Sequence, residues 1–423
     1  MNFLRSKYSY LVNLYRTDTG EFWYQSMFFL FWLSIATFPI GYGAREVLPG
    51  LAGICMCFYY KYNWENSTLK RLTVKNYFYF ALAMILIGVI FSHNIWESFL
   101  HASMGINKAY VLPFVGMECV RNEKKLRSLV VACVIACFWQ GIDGIWQEIT
   151  GKDFIMGYTK NTGRLTGSLG DYTVGNYIAL AMIPAFSFWF LLKEKYSLLK
   201  CCFFSLLLLI PPVFLSIGAS SRSGMLAVAA SFGFWAIIIR KQFDLRIIIW
   251  PSLVFVFFYL LQTDRFSVDS VSGDGRWSLW QIAIEIFKEY PLFGAGAGQY
   301  NSLLRELNLV PAKDLITISH PHNIFLDMLY AHGIVGTSCG IYFLFGFISW
   351  GYKNIRPHLI NFMDGKYQIY WVLTAWFGIG YVSWLVNGIF GHDFYRIWWI
   401  ALAMTYLGIM IGAIVNGPCE SEE

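Results

Sequence analysis

Residues 318–351 read ISHPHNIFLDMLYAHGIVGTSCGIYFLFGFISWG, and the switch near His322 from a polar loop into an apolar run decides the class of fold. From Asn323 the run is longer than the roughly 20 residues a helix needs to cross a bilayer. Comparable runs recur near 23–42, 46–60, 76–92, 97–118, 128–148, 176–192, 199–217, 224–239, 247–262, 367–390 and 395–416. With 57% hydrophobic residues, 14% charged ones and a mean hydropathy of +0.50, the pattern predicts an all-α polytopic integral membrane protein rather than a globule with one anchor. About 12 transmembrane helices are expected in a single integral domain spanning 1–423, with one long loop, 263–322, inside it.

The N-terminal segment has basic residues but no short apolar core followed by a small-residue cleavage site, so no cleaved signal peptide is expected. Nine cysteines, mostly in apolar runs and without a CxxC pair, read as small buried hydrophobes. Orientation follows from the basic clusters at Arg121–Arg127, Lys193–Lys200, Arg240–Arg246 and Lys353–Lys366, which share one side of the membrane. The positive-inside rule makes that side cytoplasmic and places both termini there. The polar segments 149–175, 218–223, 263–322 and 391–394 then share the outer face. The two halves share no pair of Gly/Pro-interrupted spans, the pointer to an alternating-access transporter.

Each outer segment carries chemistry that admits a plain reading and a functional one. NTGRLTGSLGDYTVGN, 161–176, is a Gly-rich loop with a solubilising Arg164, or a turn whose amides and guanidinium hold an oxyanion. SIGASSRSGMLAV, 216–228, sets Arg222 close to bilayer depth, where it either snorkels to the headgroups or pairs with an anion. In 273–291 the spacing of Trp277, Trp280, Ile284 and Phe287 predicts an amphipathic surface helix ending at Tyr290-Pro291, with Arg276 at its N-terminal end. GAGAGQ, 294–299, lacks the strand context and GK[ST] ending of a nucleotide loop. His320 and His322 flank a proline; a metal pair, a helix cap and a general base are all open to them. Asn323 and Asp327 lie about one turn apart on the helix that follows. His392, Asp393 and Arg396 form a salt-bridged hairpin tip, or orient a catalytic group or line an acceptor entrance. Lys108 stands mid-span, with His101 two turns earlier, and is expected to face the bundle interior, unless that span is shorter or re-entrant.

HNIFLDMLYAHGIVG fits H-[NSQ]-x9-G-x-x-[GTY] through His322, Asn323, Gly333 and Gly336, which resembles the signature of the O-antigen ligase family. The R-x-x-G loop at Arg164, the S-R-S-G turn at Arg222, the R-W-x-x-W helix at Arg276 and PLFGAGAG follow the family plan in order, from about 160 to 400. The resemblance implies a metal-independent, GT-C-like glycosyltransferase of the bacterial inner membrane, without cofactor or nucleic-acid partner. It implies a donor glycan on undecaprenyl pyrophosphate at the periplasmic leaflet and, in the ligases, a lipid A-core acceptor. Arg164, Arg222 and Arg276 would then clamp the pyrophosphate and His322 would be the base of an inverting displacement. His320, Asn323, Asp327 and Asp393 would support them. No DxD occurs in an outer loop, so arginine would stand where other glycosyltransferases use a metal. A polymerase of the same superfamily shares this donor chemistry. A flippase or transporter would instead spread functional groups over both leaflets.

Overall fold

The computed structural model describes residues 14–171, 173–240, 276–309, 320–392 and 394–418, with five isolated positions between 249 and 260. Among these residues the regular structure is helical, with no strand. The helices are α1 (Thr19–Ala36), α2 (Gly41–Asn63), α3 (Asn76–Ile90), α4 (Ile95–Ala109), α5 (Leu112–Cys119), α6 (Glu123–Thr150), α7 (Val174–Ala185) and α8 (Phe188–Lys193). They continue with α9 (Leu198–Gly218), α10 (Arg222–Ile239), α11 (Arg276–Glu289), α12 (Tyr300–Glu306), α13 (Ile324–Leu359), α14 (Ile369–Phe390) and α15 (Ile397–Val415).

Seven of the described helices are long and apolar enough to cross a membrane: α6, the α7–α8 pair, α9, α10, α13, α14 and α15. The expected run 247–262, the loop parts 263–275 and 310–319, and Asp393 lie outside the described residues. Two expected spans are broken. The run 97–118 divides into α4 and α5 around Tyr110-Val111, and Lys108 falls in the last turns of α4. The run 176–192 stays one candidate span but divides into α7 and α8 at Phe186-Ser187, two residues beyond Pro184.

The most buried spans are α7, α14 and α15, which pack against one another at the centre, with α10 against α7 and α14. By contrast α9 turns Leu199, Phe203, Leu206 and Ile210 outward, a sensible surface only where the surroundings are hydrocarbon. Most of the cysteines are buried as expected, but Cys57 and Cys202 face outward. At the end bearing the basic clusters, Arg121 pairs with Glu21 (2.6 Å) and lies over the Tyr24 ring, and Arg127 bridges Glu123 and Glu194.

One break positions the functional end. α13 is kinked at Gly333, whose φ of 59° and ψ of −168° suit glycine almost alone. The PLFGAG strap crosses the kink and takes up the freed backbone groups. Ile334 and Val335 N–H donate to Pro291 and Leu292 carbonyls (2.9 and 3.1 Å), while Ala295 and Gly296 N–H donate to Tyr330 and Ala331 carbonyls (2.8 and 3.0 Å). A Cβ on Gly333 would stand 2.4 Å from the Leu292 carbonyl carbon and oxygen. Gly333 is therefore the point at which the strap can enter the helix, whereas Gly336 makes room for His332 and Ile87. Gly333→Ala is expected to destabilise the protein by about 2 kcal/mol or more, since strain and clash add. A fall in the thermal unfolding midpoint of the detergent-solubilised chain checks this; an unchanged midpoint refutes it.

Candidate active site

Arg164 is held at the end of a tight turn. Asn161 and Arg164 exchange backbone hydrogen bonds (3.0 and 2.9 Å) across Thr162 and Gly163, both at positive φ. Gln147 of α6 anchors the loop behind it: its side-chain oxygen accepts from Thr166 and Gly167 N–H, and its amide donates to the Thr166 hydroxyl and Tyr158 carbonyl. Leu165 N–H donates to the Gly218 carbonyl (3.1 Å), which brings this loop to the end of α9.

There Ser220 adopts φ 53° and Ser221 caps α10, accepting from Gly224 N–H (3.2 Å), so that Arg222 is the first residue of the helix. The turn is fixed from α7 and α14. The Asn176 side-chain oxygen accepts from the Ser221 and Ser223 hydroxyls and from the Asn387 amide (2.9 Å for Ser223, 3.1 Å for Asn387). Gly175 and Gly224 permit this approach; a Cβ on Gly175 would lie 2.7 Å from that of Ser221.

His322 precedes Asn323, the N-cap of α13, whose side chain accepts from Phe325 and Leu326 N–H (2.9 and 3.1 Å). Asn323 therefore has a structural task, and His322, at φ 53°, is turned out of the helix beside it. Histidine tolerates this left-handed conformation better than most residues. Asp327 sits one turn on and is buried. Its carboxylate accepts from Phe394 N–H (2.9 Å), tying the α14–α15 connection to α13.

The groups meet. Arg164, Arg222, Arg276, His322 and Arg396, with Thr173, Asn176 and the 219–223 turn, line one cavity of about 260 Å³ at the end of the bundle opposite the basic clusters. The described lining carries four guanidinium groups and no carboxylate. Thr173, Ser221 and Arg396 are N-caps of α7, α10 and α15, and His322 precedes the cap of α13; Arg276 is the first described residue of α11. Each helix start carries about half a positive charge, so the dipoles add to the guanidinium groups in favouring an anion here. A larger cavity of about 710 Å³ lies nearer the other end of α10, lined by Phe186, Phe232, Trp235 and Trp376; of its described lining only Arg240 is charged.

Residues 204–341 match the family model described as O-Antigen ligase. The match supports an O-antigen ligase family assignment for this segment. The family comprises membrane glycosyltransferase-like ligases and polymerases. No curated protein matches the chain. The O-antigen ligase segment, about a third of the chain, carries Arg222, Arg276, His320 and His322, while Arg164 and Arg396 reach the cavity from either side of it.

The structure sorts the histidines by their surroundings. His320 adjoins His322 at a ring distance of 4.1 Å, and its Nε2 is 3.3 Å from Arg396 Nη1. His332 is fully buried and bonds the Tyr395 hydroxyl (2.8 Å), and His392 is buried against Trp384 and Trp399; both are packing groups. His101 packs its ring edge-on to Tyr395 at 5.5 Å. Among the described residues no three His, Cys, Asp or Glu side chains cluster with metal-ligand geometry. On α11, Ile282, Ala283 and Ile286 pack inward and Trp280 lies against Phe390, while Trp277 and Ile284 of the expected apolar face are exposed. A helix facing protein on one side and lipid on another has no single apolar stripe. Asn176 is a cavity residue that sequence reading missed, because nothing local marks a lone Asn near a helix start as the acceptor for three donors.

Proposed function

We propose that this protein is an O-antigen ligase, transferring a glycan from undecaprenyl pyrophosphate to a sugar hydroxyl of lipid A-core. It would do so at the periplasmic face of the bacterial inner membrane, as a single domain of about twelve spans with both termini in the cytoplasm. The observation that carries the reading is the convergence of Arg164, Arg222, Arg276 and His322 on one cavity beside several helix starts. His322 takes the proton of the acceptor hydroxyl as its oxygen bonds to the anomeric carbon. On the opposite side the bond from that carbon to the phosphate oxygen breaks, and its electron pair leaves with the polyprenyl diphosphate. That product carries one more negative charge than the donor ester did, so the arginines stabilise the leaving group more than the ground state. Direct displacement inverts the anomeric configuration.

The test is expression in a strain lacking its own ligase but making polymer on the lipid carrier. Long ladders on a lipopolysaccharide gel are expected. Failure to attach preformed polymer, with conversion of single lipid-linked repeat units into polymer in a polymerase-deficient strain, would identify a polymerase instead. Transfer by the purified protein is expected to survive EDTA; loss restored by a divalent ion would return His320 and His322 to the role of metal ligands.

A further inference from the structure

Arg396 belongs to the connection between α14 and α15, outside the segment matched to the family, yet its side chain lines the same cavity as Arg164, Arg222, Arg276 and His322. The connection is held in register from α13 at two buried points. Asp327 accepts from Phe394 N–H, and His332 bonds the Tyr395 hydroxyl, so the residues immediately before Arg396 are fixed on both sides of the peptide chain. The guanidinium is then aimed by His320. Because arginine can only donate, the His320 Nε2 facing Arg396 Nη1 at 3.3 Å must be an unprotonated acceptor, which places the proton of the neutral ring on Nδ1. With this contact His320 has a defined use that is neither base nor metal ligand.

We infer that Arg396 is a fourth diphosphate-binding cation of the cavity, and that His320 is the positioning residue that holds its guanidinium toward the anion. The inference rests on reading the cavity as the diphosphate site. A diphosphate has two phosphoryl groups with several terminal oxygens, and a guanidinium fork serves a pair of these at a time. Arg164, Arg222 and Arg276 arrive from one side of the chain's order and Arg396 from its far end. The site is therefore complete only when the α14–α15 connection is seated on α13. Asp327, His332 and the strapped kink at Gly333 all contribute to that seating.

Inorganic pyrophosphate is the probe, titrated calorimetrically into the full chain in detergent micelles, with thermal unfolding of each variant as the check on folding. Arg396→Ala is expected to weaken binding about tenfold or more, and Arg396→Lys, which keeps the charge but not the fork, by a smaller factor. His320→Ala should weaken binding severalfold while leaving Arg396 present. His320→Gln should recover most of it, since the amide oxygen can accept the same guanidinium hydrogen. A purely structural role for His320 would lower the unfolding midpoint without this Ala-to-Gln recovery. Wild-type protein that binds no pyrophosphate overturns the diphosphate reading of the cavity, and this inference with it. Wild-type protein that binds, alongside folded Arg396 variants that bind equally well, overturns the inference alone. Equal losses in His320→Ala and His320→Gln overturn the role given to His320.

Discussion

His322→Ala is expected to abolish O-antigen ladders and to lower the turnover of purified protein by about 10²–10⁴-fold, the contribution of a well-placed general base. The effect belongs in kcat. An imidazole that takes a proton only as the new bond forms contributes little to holding the donor, so KM for the lipid-linked glycan should change far less. Backbone geometry complicates this substitution. Position 322 has φ 53°, where alanine is strained, and a shifted loop would also move the start of α13. His322→Asn answers the objection, because asparagine tolerates the left-handed region and keeps a polar side chain but is no base at neutral pH. If chemistry is the cause, both variants lose turnover together. Wild-type ladders from either folded variant would sink the base assignment. Normal turnover in Asn with loss only in Ala would make the position conformational.

Arg222→Lys should be nearly as damaging, with kcat/KM reduced at least about tenfold although the charge is kept. Arg222 is the first residue of α10, behind a serine cap and beside two hydroxyls bonded to Asn176. It therefore presents its fork from a fixed base, at the positive end of the same helix dipole. Lysine supplies a point charge on a flexible stem and loses the paired hydrogen bonds to phosphate oxygens. Arg127→Lys makes the matched control: that arginine bridges Glu123 and Glu194 at the other end of the bundle, and transfer should stay near the wild-type rate. Near-normal transfer by Arg222→Lys would return Arg222 to the role of a snorkelling cation.

Positions of the helices were legible because a bilayer imposes a length. An apolar run of about 20 residues can satisfy its backbone only as a helix, and α6, α9, α10, α14 and α15 lie within a few residues of the expected runs. The breaks were not legible. The Phe186-Ser187 and Tyr110-Val111 breaks leave hydropathy unchanged, since interrupting a helix does not alter the polarity of its side chains. Arg164, Arg222, Arg276 and His322 could be singled out one by one, because a cation or imidazole at the end of an apolar run is costly unless it has work to do.

By itself the sequence determined that the chain is a bundle of membrane helices with its unusual polar residues gathered at one end. Those are consequences of hydrocarbon thickness and of where charge is tolerated, and both act on residues near in sequence. Only the tertiary structure decided that four arginines and a histidine share one cavity, that Asn176 organises the Ser221–Ser223 turn, that Asn323 is a cap, and that Gly333 admits a strap. Apart from the Asn323 cap, which is made to its own helix, these depend on hydrogen bonds and close approaches between segments far apart in the chain, for which local periodicity carries no signal.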